Sequence, residues 1–223
     1  MFLFQKCQYP GCKASAVSQF DATGDLMESC GFCLKHSPNP DETVETLKNY
    51  ILSHEKIVGL NMEGSNLEEM DLSGKKFYGC NFQRCTFNAL HSTDLRCRMC
   101  MFDFSTITEC TFLKSNIQFS SFSGVKLVHT IFTGSDLIHN NFNGITAYQS
   151  SFDDSDLYNS RFIKAILINT SMSNCNLKKT AFYESAMEGV SLKLSNTREA
   201  LMDRSKGGMM GELGNARTLG REQ

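Results

Sequence analysis

Residues 120–142 read SSFSGVKLVHTIFTGSDLIHNNF. Phe122, Leu127, Phe132, Leu137 and Phe142 stand at every fifth residue, a period that neither an α-helix nor a β-strand has. Followed outward, the same register runs unbroken from Met62 to Leu192 through 27 positions. Phe, Leu, Ile or Met fills all of them except Ser92, Cys97 and Ala147. A five-residue period held over more than half of a chain is the unit of a solenoid.

The position two before each large residue is patterned too, and mostly small, as at Cys80, Cys85, Cys100, Ser105, Cys110, Ser135 and Ser155. Two residues apart in extended chain share a face, so both point inward. The next inward residue follows three later, which demands a corner. Gly64, Gly74, Gly79, Gly124, Gly134, Gly144, Asn159, Asn169 and Asn174 suit that corner. Where the central residue shrinks to Ser92, Cys97 or Ala147, the partner two earlier grows to Leu90, Leu95 or Ile145. That exchange keeps the volume of the unit and predicts a filled core. The alternative is a break in the repeat over 88–98 with a bulged loop. Lys75 and Asn140 are polar at inward positions.

Ser65-Asn66-Leu67, Cys80-Asn81-Phe82, Ser135-Asp136-Leu137, Ser155-Asp156-Leu157 and Cys175-Asn176-Leu177 resemble the units of the pentapeptide repeat family. The resemblance implies an all-β solenoid: a right-handed quadrilateral parallel β-helix, four units per coil and about six to seven coils long. Every twentieth residue then stacks on one wall, which predicts a ladder of Phe82, Phe102, Phe122, Phe142, Phe162 and Phe182. Each buried Phe or Leu contributes about 1.5–3 kcal/mol, so this core requires no ligand.

Six of the ten cysteines fall on inward positions: Cys80, Cys85, Cys97, Cys100, Cys110 and Cys175. There they read as small core hydrophobes rather than disulfides or nucleophiles. The other four, Cys7, Cys12, Cys30 and Cys33, precede the repeat and are joined by His36. Two short-spaced pairs about 20 residues apart suit a tetrahedral Zn²⁺, and Pro10-Gly11 favours the turn that the first pair needs. The segment resembles small zinc-finger modules with a Cys-x4-Cys pair followed by Cys-x2-His, which implies the ligands Cys7, Cys12, Cys33 and His36. Cys30 in place of His36 is the competing set. Four protein ligands make the ion structural, and residues 1–36 hold too few large apolar side chains for a core without it.

The organisation that follows is a zinc-finger-like module at 1–38, a capping helix and linker at 39–58, the β-helix at 59–192, and a C-terminal cap with a flexible tail at 193–223. Asn39-Pro40-Asp41-Glu42 is a helix start. Val44, Leu47, Ile51 and Val58 mark its apolar face, which should cover the open end of the first coil. After Leu192 the register fades. Asn196 to Met202 predicts a short capping helix, and the Gly-rich stretch from Gly207 a flexible tail.

Residues 1–55 carry 4 Lys/Arg against 7 Asp/Glu, a poor balance for nucleic acid. No apolar stretch is long enough for a membrane span, and Met1 to Lys6 is too short for a signal peptide, so a cytoplasmic setting is expected. Some pentapeptide repeat proteins mimic DNA to regulate a topoisomerase. The near balance of 12 Lys/Arg and 13 Asp/Glu over 56–192 weighs against that role here. No Ser-His-Asp arrangement, phosphate-cradling loop or paired carboxylates appear, and His91, His129 and His139 map outward, so a non-enzymatic protein is expected. Val128, Tyr148, Ile166 and Ile168 face outward on one wall, with Ile163 and Tyr183 on the next, and contiguous apolar area marks a contact surface. The expected function is a protein-interaction scaffold or adaptor. The alternative is a self-assembling structural subunit, a homo-oligomer.

Overall fold

The structure, a computed structural model, describes residues 4–27 and 31–202. Its repeating event is a corner. The residue two after each central one takes a positive φ, as at Gly124 (66°), Gly134 (69°) and Asn159 (55°). Met99, Phe104, Phe119 and Lys164 do the same at 53°, 61°, 53° and 58°. A residue with a Cβ is strained there by about 1–2 kcal/mol. The hydrogen-bonded ladder between coils therefore sets the corner, and glycine or asparagine only eases it. Leu127 pairs with Ala147, and Ala147 with Leu167, so four units close one coil of 20 residues. The result is a parallel β-solenoid of about seven turns.

The four walls can be named for Phe122, Leu127, Phe132 and Leu137. The Leu127 wall holds seven strands, from Asn66–Glu68 to Ala186–Glu188. The Leu137 wall holds four: Lys56–Val58, Lys76–Tyr78, Arg96–Arg98 and Asn116–Gln118. On the Phe132 wall His91–Thr93 pairs with Thr111–Leu113, and the Phe122 wall is joined by single bridges such as Met101↔Ser121. Residues 88–98 keep this pairing, so the register has no break there.

Inside, the expected phenylalanine ladder is complete. Phe82, Phe102, Phe122, Phe142, Phe162 and Phe182 stack with successive ring centroids 5.2, 4.6, 5.0, 4.8 and 5.2 Å apart. Phe112, Phe132 and Phe152 stack on the facing wall, and the two columns meet edge-on, as between Phe142 and Phe152. The small inward residues satisfy the backbone between coils. Ser135 Oγ donates to Phe112 O at 2.8 Å and accepts from Ser115 N at 3.0 Å. Asn140 fills the same role, with Nδ2 donating to Ile117 O and Leu137 O and Oδ1 accepting from Ser120 N. Buried polar groups with such partners cost the core little. A narrow apolar void runs along the interior of the first coils, with Leu72, Phe87, Cys97, Phe102 and Ile117 among its lining.

Helix α1 (Pro40–Ser53) begins with Pro40 in its first turn. Asn39 does not cap it through its side chain, which instead donates to Glu42 Oε2 at 3.0 Å. Leu47 and Ile51 are fully buried against the first coil and Val44 is half-buried. Val58 is not on the helix face. It lies in the first strand, where Ile57 takes the inward position and pairs with Phe77. The expected helix at 196–202 is likewise absent. Asn196 pairs with Asn176 and Leu201 with Ala181, so the coil continues. Asn196 N donates to Cys175 O at 2.8 Å, a bond that helix formation would forfeit. The Gly-rich tail lies outside the described residues. Among the described residues no helix is long and apolar enough to cross a membrane.

Candidate metal centre and outer faces

The N-terminal segment folds as a short antiparallel turn. Lys6 bridges Ser15, and Cys7 N donates to Ala14 O at 2.9 Å. Within it Cys12 N returns to Tyr9 O, with Pro10 and Gly11 (φ 79°) between them. That is the chemistry of a type II turn, and it brings Cys7 and Cys12 to one side. The second pair comes from a single 3₁₀ turn, Leu34–His36, directly after Cys33. His36 N and Ser37 N both donate to Cys33 O, so the sulfur and the imidazole face the same way.

The two halves meet. Cys7 Sγ lies 3.5 Å and Cys33 Sγ 3.3 Å from His36 Nδ1, and Cys12 Sγ lies 3.9 Å from Cys33 Sγ. The ligand atoms of Cys7, Cys12, Cys33 and His36 all fall within 4.8 Å of one another, a group that could hold a metal ion. Cys30, the competing ligand, lies outside the described residues. Burial pushes the Cys7 thiol up, but the Cys33 and Tyr9 amides and the His36 ring act against it and bring it down to about 6. Cys33 is pushed up, first by burial and then by the neighbouring Cys7 and Cys12 sulfurs.

Nothing in the spacing pointed to Tyr9, whose ring stacks on His36 at 4.0 Å and 9° and fixes the imidazole plane. Nor did it point to the pins that hold the module to the solenoid. Asn61 Nδ2 donates to Ala16 O at 2.6 Å, Ser18 N donates to Asn61 O at 2.9 Å, and Phe20 stacks on Tyr50 of α1.

On the outer faces, Val128, Tyr148 and Ile168 form successive rungs of the Leu127 wall, with Ile166 opposite Thr146. Tyr148 is 41% and Ile166 46% exposed, and Val128 and Ile168 are half-buried. Ile163 and Tyr183 lie across the corner, half-buried and exposed. His91 and His129 are exposed and His139 is half-buried. Asp153 accepts from Ser173 N and from the Ser171 hydroxyl, which ties two coils together.

Residues 115–154 and 155–193 match the family profile for pentapeptide repeats, in eight copies. Solved structures similar to the chain include a pentapeptide repeat protein, Rfr23, from the cyanobacterium Cyanothece 51142. It has 15% identity and a TM-score of 0.40, over 71% of this chain and 99% of that one. QnrB1, a plasmid-mediated fluoroquinolone resistance protein, matches with 15% identity and a TM-score of 0.39 over 71% and 98%. HetL, a pentapeptide repeat protein involved in heterocyst differentiation regulation in the cyanobacterium Nostoc, matches with 10% identity and a TM-score of 0.25 over 70% and 93%. No curated relative matches the chain by sequence.

Proposed function

We propose that this chain, a pentapeptide repeat protein, is a non-enzymatic protein-interaction scaffold whose N-terminal module is fastened by a structural Zn²⁺. The observation that carries the reading is the in-register ladder of Val128, Tyr148 and Ile168 with Ile166 beside it. Solvated strands usually set polar side chains outward, and a partly exposed apolar ladder on a rigid wall suits a protein partner. Ile163 and Tyr183 extend the contact over the corner.

Cys7, Cys12, Cys33 and His36 suit zinc by their spacing. A tetrahedral ion with ordinary Zn–S and Zn–N bonds sets two sulfurs about 3.8 Å apart and a sulfur and nitrogen about 3.6 Å apart. Three of the six edges, at 3.9, 3.5 and 3.3 Å, lie near those values, and all four ligand atoms fall within 4.8 Å of one another. Zinc bound there cross-links the two turns and leaves no position for substrate, so its contribution is to folding. The nine cysteines among the described residues form no disulfide, which suits the reducing cytoplasm.

Replacing Tyr148 and Ile168 together by Asp tests the scaffold reading. The double variant should keep the thermal midpoint and lose the partner that co-purifies with the parent chain. Light scattering across concentration separates the runner-up, a self-assembling subunit, which gains mass alone while an adaptor does not. Unchanged partner recovery together with unchanged mass would remove both readings.

A further inference from the structure

The upper Leu137 wall carries a different surface. Its four strands hold Lys56, Lys76, Arg96 and Arg98 and no acidic residue. Lys56, Lys76 and Arg96 are consecutive rungs of one ladder. Like charges placed directly opposite on neighbouring strands destabilise a sheet, and a local rule broken in this way marks a site where function overrides stability. The compensation is partial. Glu55 pairs with Lys76, Lys56 Nζ lies 5.6 Å above the Tyr78 ring, and Arg98 donates to Asn116 Oδ1. Asp94 occupies the far corner beside Arg96 and is exposed. The near corner is glycine at 59 and 79 and then Met99 and Phe119, which are 59% and 55% exposed. Val58, on the same wall, is 41% exposed.

We propose that this face docks on an anionic lipid surface. Lys56, Lys76 and Arg96 meet the headgroups, and Met99 and Phe119 enter the interface from the corner. Basic side chains rimmed by exposed apolar ones are the chemistry of interfacial binding, and a flat wall suits a flat partner. An acidic peptide fits less well. The Lys76–Tyr78 and Arg96–Arg98 strands are paired on both sides, so strand addition has only the outer edge of Lys56–Val58, at one end of the face. Single-stranded nucleic acid fits less well too, because it needs free aromatic faces. His139 is stacked on Phe119 at 5.0 Å, and Lys56 covers Tyr78. Farther along the wall Asp136 and Asp156 follow, which confines the contact to the coils nearest α1. The inference does not depend on the scaffold reading or on zinc.

Sedimentation of the full chain with vesicles tests it. Binding is expected to vesicles containing phosphatidylserine, weakened by salt, and not to pure phosphatidylcholine. Each basic residue near such a surface contributes about fivefold in affinity. Lys56→Glu, Lys76→Glu and Arg96→Glu together should therefore lower it by at least about 100-fold. Met99→Ser with Phe119→Ser should also weaken binding while leaving every charge in place. A control with Lys126→Glu, Arg161→Glu and Lys164→Glu removes as much charge from other faces and should keep most of the binding. Thermal midpoints check that all variants fold. No binding to phosphatidylserine vesicles overturns the proposal, as does equal loss in the control. Binding to a single-stranded oligonucleotide or to polyglutamate but not to vesicles also overturns it and assigns the face to that partner class.

Discussion

Lys75 Nζ donates to the carbonyl of Leu52 at 2.7 Å. The same ammonium reaches His54 O at 2.9 Å. A lysine that breaks the inward pattern of the repeat thus satisfies orphan carbonyls where α1 ends and complements its dipole. Lys75→Met should cost roughly 1–2 kcal/mol, read as a lower urea midpoint. Hydrogen exchange should show the loss concentrated in 47–53. An unchanged midpoint would mean that water serves those carbonyls equally well.

The phenylalanine column is expected to respond by position. Phe122 is stacked on both sides, between Phe102 and Phe142, whereas Phe182 has a described ring on one side only. Phe122→Ala should cost about 3–5 kcal/mol, and Phe182→Ala clearly less, by denaturant titration of both variants.

Corners can be ranked in the same way. A Cβ on Gly124 would sit 2.8 Å from the Phe104 ring, whereas on Gly144 it would meet only Gly124 N at 4.0 Å. Both glycines have φ of 66°, so both alanine variants bear the left-handed strain of about 1–2 kcal/mol. Gly124→Ala should be the less stable of the two, and it should also displace Phe104 from Arg84, 5.9 Å from its ring. Equal thermal midpoints would contradict the clash.

The metal-free module should depend on pH with a definite sign. The Cys7 thiol ionises more readily in the folded chain, near 6, than its ordinary 9. A depressed value means that folding favours the thiolate. Its stabilisation is full above pH 9, shrinks as pH falls and is gone below about 6. Protons also compete with metal for the same sulfur. Chelation should therefore remove metal faster as pH falls toward 6, and the amide protection factors at Cys7 and Val17 should fall there before those of the β-helix.

The body of the solenoid was legible because each inward position reports independently, and a period of five has no rival explanation. Its ends were less legible. Thr197 is a weak inward residue, and Asn196 to Glu199 imitates a helix start, so local pattern pointed to a helix. The backbone bonds from the coil beneath decided otherwise, and no single residue announces those. Lys75 and Asn140 looked like faults until their carbonyl partners were in place. At the candidate metal centre the spacing offered Cys7, Cys12 and Cys33 with either Cys30 or His36, and the resemblance to small zinc-finger modules implied His36. Tyr9 could not be read in this way, because a stacking contact across 26 intervening positions leaves no trace in either segment.

Twenty residues per coil makes the chain a clock with four hours. Inserting five residues anywhere in the repeat would leave every bond of the ladder available, yet swing all that follows by a quarter turn. Tyr148 and Ile168 would then look out over a different quarter of the horizon from the one they share with Glu68 now. Only a gain or loss of a whole revolution preserves the bearings, so the length of this rod can drift in large steps while its compass stays fixed.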